Sequence, residues 1–299
     1  MRSKKLFVLP FDHRGSFIKM FGYSESELAP EITARLAGYK HIIYEGFLHA
    51  VNNLGVPKGS GAILVDEQFG TKIQHEARAA GIARLLTVEK SGQDEFDFEY
   101  GAYFKEHINK FQPDYVKVLV RYNPCSEQEF KNRRQIARLK LLNNFCNKNG
   151  YRFLFELLAE PNLKQSEDPN FTKEYFEKTL RGEIMLNSIK ELHKLGVEPD
   201  IWKLEGLSNS FQMNKVVEET RTAGRDNVGV VVLGRGESEE KVREWLTVAS
   251  KIKGVVGLAV GRTVFKKPLL AYHKGEIGRT MAANAIAENY KGFVDIFTG

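Results

Sequence analysis

Eight times along this sequence a short apolar run is followed by a longer stretch with helical periodicity. The runs are 6–11, 62–66, 84–88, 115–121, 152–157, 201–205, 228–233 and 255–260. Each has the length of an average strand and is rich in Val, Leu, Ile or Phe. Apolar residues at consecutive positions suit parallel strands covered by helices on the outside. Strand alternating with helix predicts an α/β architecture, and eight such units predict a closed (β/α)8 barrel rather than an open sheet.

The intervening segments carry helix signals. Ser24 to Glu27 and Ser126 to Glu129 have capping-box spacing, in which side chains satisfy otherwise orphaned backbone N–H groups. Gly150 is placed to stop the long stretch opened by Ser126 in a left-handed turn. Further helices are expected after Thr71, Gly92, Thr172, Ser208 and Ser238, and over 277–290. No low-complexity linker or break in composition divides the chain, so one barrel domain over 1–299 is expected. Two segments exceed what a barrel needs. Residues 16–61 have room for two helices, and 158–171 are polar and carry Pro161 and Pro169. Both follow strands, on the face where barrel active sites form, so either suits a lid.

Composition narrows the class. The chain is 42% hydrophobic and 27% charged, as globular proteins are, and no apolar run approaches the ~20 residues of a membrane span. Two cysteines, Cys125 and Cys146, give no disulfide framework, and no secretory signal is evident, so a cytoplasmic location is expected. The 44 basic and 38 acidic residues leave a net charge of +6. Its densest cluster, from Lys131 to Lys140, reads as a solvated helix face, and no nucleic-acid partner is expected.

Polar residues at the C-terminal ends of barrel strands point into the mouth where the βα loops gather. This sequence places charge there repeatedly: Asp12-His13-Arg14, Asp66-Glu67, Glu89-Lys90, Lys117, Arg121, Glu156, Lys203 and Glu205. Arg14, Glu67, Arg121 and Glu205 are candidates for binding substrate. Lys117 and Lys203 lie inside strands. Because strand side chains alternate, Trp202 and Leu204 face one way and Lys203 and Glu205 the other. The same alternation turns Lys117 inward while Val116, Val118 and Val120 face the helices. A lysine in such an interior loses hydration, and a second cation nearby further disfavours the charged form. The neutral amine attacks ketones to form an imine. The alternative is a buried lysine paired with Glu156 or Glu205 that only holds the core together, and alternation alone does not separate the two.

The last two strands end in glycine-rich turns, Gly234-Arg235-Gly236 and Gly261-Arg262-Thr263. Glycines let backbone N–H groups approach an anion, and a following helix adds its positive end. The loops after strands seven and eight are a common phosphate site in barrels. The seven histidines are dispersed, with only His13 at a strand end, so neither a metal site nor another cofactor is expected.

Taken in order, Pro-Phe-Asp-His-Arg-Gly-Ser-Phe (10–17), Leu-Val-Asp-Glu-Gln-Phe-Gly (64–70), Val-Lys-Val-Leu-Val-Arg-Tyr-Asn-Pro (116–124), Leu-Phe-Glu-Leu (154–157), Trp-Lys-Leu-Glu-Gly (202–206) and Ala-Val-Gly-Arg-Thr-Val-Phe (259–265) carry a resemblance over nearly the whole chain. The sequence resembles the class I aldolase module that forms the C-terminal half of some bifunctional inositol-catabolism proteins. That module cleaves 5-dehydro-2-deoxygluconate 6-phosphate to dihydroxyacetone phosphate and malonate semialdehyde. A more distant similarity runs to the class I tagatose-bisphosphate and sulfofructose-phosphate aldolases, which share the strand-one Asp-x-Arg and the strand-six Lys-x-Glu.

The resemblance implies that Lys203 forms the imine, that Lys117 assists, and that Glu156 and Asp12 belong to the catalytic cluster. Of the two carboxylates, Glu156 is taken first and Asp12 second as general base. The resemblance also implies a phosphate site around Gly234, Gly236, Gly261 and Arg262 and a small-molecule sugar phosphate as ligand; Arg235 is a further phosphate-binding candidate, and no membrane partner is expected. A homo-oligomer is left open. The bifunctional relatives carry a sugar-kinase domain before the module, whereas this sequence opens at strand one. That departure leaves room for a drifted substrate. The alternatives are a class I aldolase for a ketose bisphosphate or a sulfofructose phosphate, a barrel that binds a sugar phosphate without catalysis, and a phosphate-binding isomerase or epimerase that uses carboxylates without an imine.

Overall fold

A computed structural model describes residues 4–299. Eight strands, β1 (Leu6–Pro10), β2 (Gly61–Val65), β3 (Ala83–Thr87), β4 (Tyr115–Tyr122), β5 (Arg152–Ala159), β6 (Ile201–Glu205), β7 (Gly229–Leu233) and β8 (Val255–Ala259), pair in parallel with their sequence neighbours. β8 returns to β1 and closes the barrel. The fold is therefore a (β/α)8 barrel, and every strand falls within two residues of an apolar run in the sequence.

Alternation along the strands divides the core into two layers. Outward residues, among them Val116, Val118, Val120, Trp202 and Leu204, pack under the helices in one continuous cluster. Inward residues, including Val8, Leu64, Leu85, Leu154, Ile201 and Val231, fill the barrel itself. This inner layer is apolar and buried, so polar side chains further along the same strands stand on an apolar floor.

Several helices start where the sequence indicates. Ser24 and Glu27 form the expected capping box, and Ser238 and Thr172 cap the helices that follow them. Gly150 ends the Glu129–Asn149 helix at φ 73°, the left-handed region where glycine carries no side-chain penalty. The Ser126 side chain lies outside the described ones. The 16–61 segment holds the two expected helices, Gly15–Met20 and Pro30–Asn53, with Pro30 at the first turn of the latter, where its missing N–H costs nothing.

Three expectations need correction. No helix follows Gly92 directly. Residues 89–100 form a loop, with a bridge between Glu89 and Phe98, and the helix is Phe104–Phe111. The helix near Thr71 begins earlier, at Glu67, because the Asp66 carboxylate accepts from Phe69 N and caps it. The last helix runs Arg279–Thr298 rather than stopping at 290. It packs on Pro30–Asn53 and ties the barrel wall through Tyr290, whose hydroxyl donates to the Phe7 carbonyl at 2.6 Å. Among the described residues no helix is long and apolar enough to cross a membrane.

Candidate functional site

At the C-terminal end of the barrel a cavity of about 470 Å³ opens, lined from Pro10 at the end of β1 to Thr263 beyond β8. Its floor is a cluster of five ionisable side chains. Lys117 rises from β4, where its Cα pairs with Leu154 in the apolar layer below. Its Nζ lies 2.9 Å from Asp12 Oδ2, 2.6 Å from Glu89 Oε1 and 2.9 Å from Glu156 Oε2. Lys203, on β6, meets one carboxylate, with Nζ 2.8 Å from Glu156 Oε1. All five are buried.

Electrostatics follow from that enclosure. Burial works against the charge on Lys117, but Asp12, Glu156 and Glu89 outweigh it and raise its pKa well above the ordinary lysine value. Burial likewise opposes the charge on Asp12, yet Lys117 and Lys203 hold it far below the usual carboxylate range. Glu156 is lowered in the same way, with burial again overcome by the two lysines. His13, just past the end of β1, behaves oppositely. Burial, assisted by Arg262, Lys203 and Lys40, brings its pKa down to about 4 against the pull of Asp12. The imidazole is therefore neutral at pH 7, and its Nδ1 is buried without a partner.

The loops after β7 and β8 form the facing rim. Arg235 and Gly236 have φ of 49° and 80°, and Glu237 N donates to Gly234 O at 3.0 Å, which closes a tight left-handed turn. Gly261 precedes the Arg262–His273 helix, and a Cβ on it would lie 2.1 Å from the Pro10 carbonyl oxygen. Only glycine allows that helix to start so close to β1. Arg262 crosses between the loops and donates to the Arg235 carbonyl at 3.0 Å. The helix start and the 234–236 turn thus border the same cavity as Lys203.

The structure brings Asp12, Lys117, Glu156 and Lys203 together, and places Gly234, Arg235, Gly236, Gly261 and Arg262 on one rim of their cavity. Arg14 and Arg121 also line it, but with engaged guanidinium groups. Arg14 pairs with Glu99 at 2.8 Å and donates to the Glu89 carbonyl, and Arg121 pairs with Glu160. Glu67 lies elsewhere. As the first residue of the Glu67–Ala79 helix it turns away from the mouth to His107 at 2.6 Å and Lys110 at 2.7 Å. Glu205 is fully buried below the rim, 2.5 Å from Arg235 Nη1, and accepts from Ala159 N at 2.9 Å. Burial raises its pKa, which Arg235 and Arg181 only partly oppose.

Three contributors lie outside the residues given a site role from sequence. Glu89, read there only as charge at a strand end, completes the cage around Lys117 in step with the inward alternation of Leu85 and Thr87. Lys40, fully buried on the Pro30–Asn53 helix, pairs with Asp66 and donates to the His13 carbonyl at 2.9 Å. Arg181 backs Glu205 and donates to the Gly206 carbonyl at 2.9 Å. Neither Lys40 nor Arg181 lies near a strand end in sequence, so no strand pattern points to them.

Comparison with known proteins gives the same fold. Cgl0159 from Corynebacterium glutamicum superposes with a TM-score of 0.60 at 16% identity, covering 97% of this chain and 85% of that one. A fructose-bisphosphate aldolase from Slackia heliotrinireducens superposes with a TM-score of 0.56 at 12% identity, covering 95% of this chain and 86% of that one. No curated protein sequence matches the chain. Over residues 1–299 the sequence matches the family described as "Uncharacterized protein conserved in bacteria (DUF2090)", and the chain belongs to that family.

Proposed function

We propose that the chain is a class I aldolase that cleaves a ketose-type sugar phosphate through a Schiff base on Lys203. The observation that carries the reading is the single carboxylate shared by two lysines, Glu156 between Lys203 and Lys117, beneath a rim of glycine turns suited to phosphate. The barrel shared with a fructose-bisphosphate aldolase supports an aldolase reading.

In the proposed reaction Lys203 passes its proton to Glu156, its amine adds to the substrate ketone, and Glu156 returns the proton as water leaves, giving an iminium, a stronger electron sink than the ketone. Glu156, with Asp12 as second choice, takes the proton from the hydroxyl on the carbon β to the iminium. The α–β carbon–carbon bond then breaks, the aldehyde leaves, and the bonding pair becomes the enamine. Return of the proton to the α carbon and hydrolysis by water free dihydroxyacetone phosphate and Lys203. Ionised Glu156 suits the base role, and Lys117, held protonated, supports the carbinolamine hydroxyl. The substrate proposed first is 5-dehydro-2-deoxygluconate 6-phosphate, giving malonate semialdehyde as the aldehyde.

Borohydride reduction tests this directly, with that substrate, dihydroxyacetone phosphate, tagatose and fructose bisphosphates and sulfofructose phosphate offered separately. Mass spectrometry should find one adduct, on Lys203, with the true substrate. Lys203→Ala and Lys203→Arg should abolish both labelling and turnover, since guanidinium keeps its proton. Turnover without any labelled lysine, abolished by chelators, would replace the reading with a metal-dependent one.

A further inference from the structure

We propose that Glu205 and Arg235 are positioning residues that hold the 234–237 turn in the shape that binds phosphate, and that the Arg235 guanidinium is not itself a phosphate ligand. This rests on the phosphate placement proposed above.

Arg235 occupies a backbone conformation, φ 49°, that side chains other than Asn, Asp or Gly rarely adopt. Turn chemistry alone would place Gly or Asn there, as the following Gly236 illustrates. An arginine at this position is held from both ends. Its carbonyl accepts from Arg262 Nη2 at 3.0 Å, and its Nη1 lies 2.5 Å from Glu205 Oε1, a carboxylate with no exposure to solvent.

Glu205 in turn is fixed independently of Arg235. Its second oxygen accepts from Ala159 N at the end of β5, and Arg181 stands behind it at 3.9 Å. One buried carboxylate therefore ties the ends of β5, β6 and β7, and the arginine is drawn down toward it. That direction leaves the backbone N–H groups of the turn, rather than the guanidinium, to face an anion at the Arg262–His273 helix start.

The test measures binding of inorganic phosphate by calorimetry and KM for a phosphorylated ketose, on Glu205→Gln, Arg235→Asn and the double variant, each checked for folding by circular dichroism. Glu205→Gln keeps an acceptor for Ala159 N but releases Arg235. Phosphate affinity should fall and KM rise by about tenfold, with kcat changed less than about threefold. In the double variant Asn accepts the left-handed turn without an anchor, so phosphate affinity should return to within about threefold of the parent. A double variant at least about tenfold weaker than the parent makes Arg235 a ligand and overturns the proposal. Unchanged affinity in a folded Glu205→Gln also overturns it. Should Glu205→Gln fail to fold, the double variant, which removes both charges of the pair, decides alone. A parent chain that binds no phosphate removes the phosphate site itself, an outcome distinct from failure of the positioning role.

Discussion

Glu156 and Lys203 face each other on adjacent strands, directly paired in register, with Oε1 2.8 Å from Nζ. Neither group depends on a loop for its position, so the contact is as rigid as the β5–β6 ladder itself. The same carboxylate reaches Lys117 with its other oxygen, while Lys117 has two further partners in Asp12 and Glu89. The two lysines are consequently unequal. Lys117 is locked in its charged form by three carboxylates, and Lys203 is attached to the cluster by one.

Glu156→Gln separates binding from chemistry. The amide retains a contact to Lys203 but accepts no proton at neutral pH, so the imine should form and stall. Turnover should fall by about 100- to 10,000-fold, and borohydride-trapped adduct on Lys203 should accumulate at steady state. Turnover near the parent rate would pass the base role to Asp12, where Asp12→Asn gives the same comparison.

Lys117→Met removes the one cation that three buried carboxylates share. Destabilisation of about 3–5 kcal/mol in urea unfolding is expected, since breaking a buried pair leaves uncompensated charge. Trapping at Lys203 should persist at a reduced rate in the variant that remains folded. Labelling of Lys117 in the parent chain would exchange the roles of the two lysines.

Strand patterns carried most of the fold and the centre of the candidate site. An inward lysine between outward valines needs only the two-residue period of a strand, and that period placed both Lys117 and Lys203. The same rule fails beyond the last strand residue. Glu67 follows Asp66 into a helix, and the helical turn swings it away from the mouth toward His107. Glu205 obeys the alternation, but Arg235 from the loop after β7 draws its carboxylate away from the cavity, and no strand pattern shows such a partner. Lys40 and Arg181 reach the site from helices, through tertiary packing that has no local signature.

Two histidines set an acid limit on stability. Burial is the main cause that brings both His13 and His193 down to about 4, below the ordinary histidine value of 6.5. Between those values the unfolded chain binds protons that the folded chain refuses. Stability is therefore complete above about pH 6.5 and falls as pH drops toward 4, by up to about 1.4 kcal/mol per pH unit for each group. His193 packs edge-on against Trp202 with both ring nitrogens unpartnered, so His193→Phe should flatten the slope without a large loss at pH 7. Urea midpoints measured across pH 4–7.5 check the sign. Because the raised Glu205 works in the opposite sense, the deciding quantity is the difference between parent and His193→Phe, and a difference that stays constant from pH 7.5 to 4 would contradict the assignment.

Glycine substitutions at two positions should act in opposite directions. At Gly261 a methyl group would lie 2.1 Å from the Pro10 carbonyl oxygen, an atom of the β1 backbone that cannot turn aside. Gly261→Ala must therefore move the start of the Arg262–His273 helix or the end of β1. It should cost about 2–3 kcal/mol of stability and weaken inorganic phosphate binding by at least about tenfold. Gly38 sits within the Pro30–Asn53 helix with nothing within 4 Å of an added Cβ, so Gly38→Ala should stabilise by about 0.5–1 kcal/mol and leave phosphate binding unchanged. Urea unfolding and calorimetry on the pair separate a local effect at the phosphate rim from a general one. Crystals of the parent chain soaked in phosphate should place the ion against 234–236 and 261–262. An ion held instead on the Glu129–Asn149 helix, where Arg134 and Arg138 already pair with Glu95, would move the anion site out of the barrel mouth and with it the orientation assigned to the substrate.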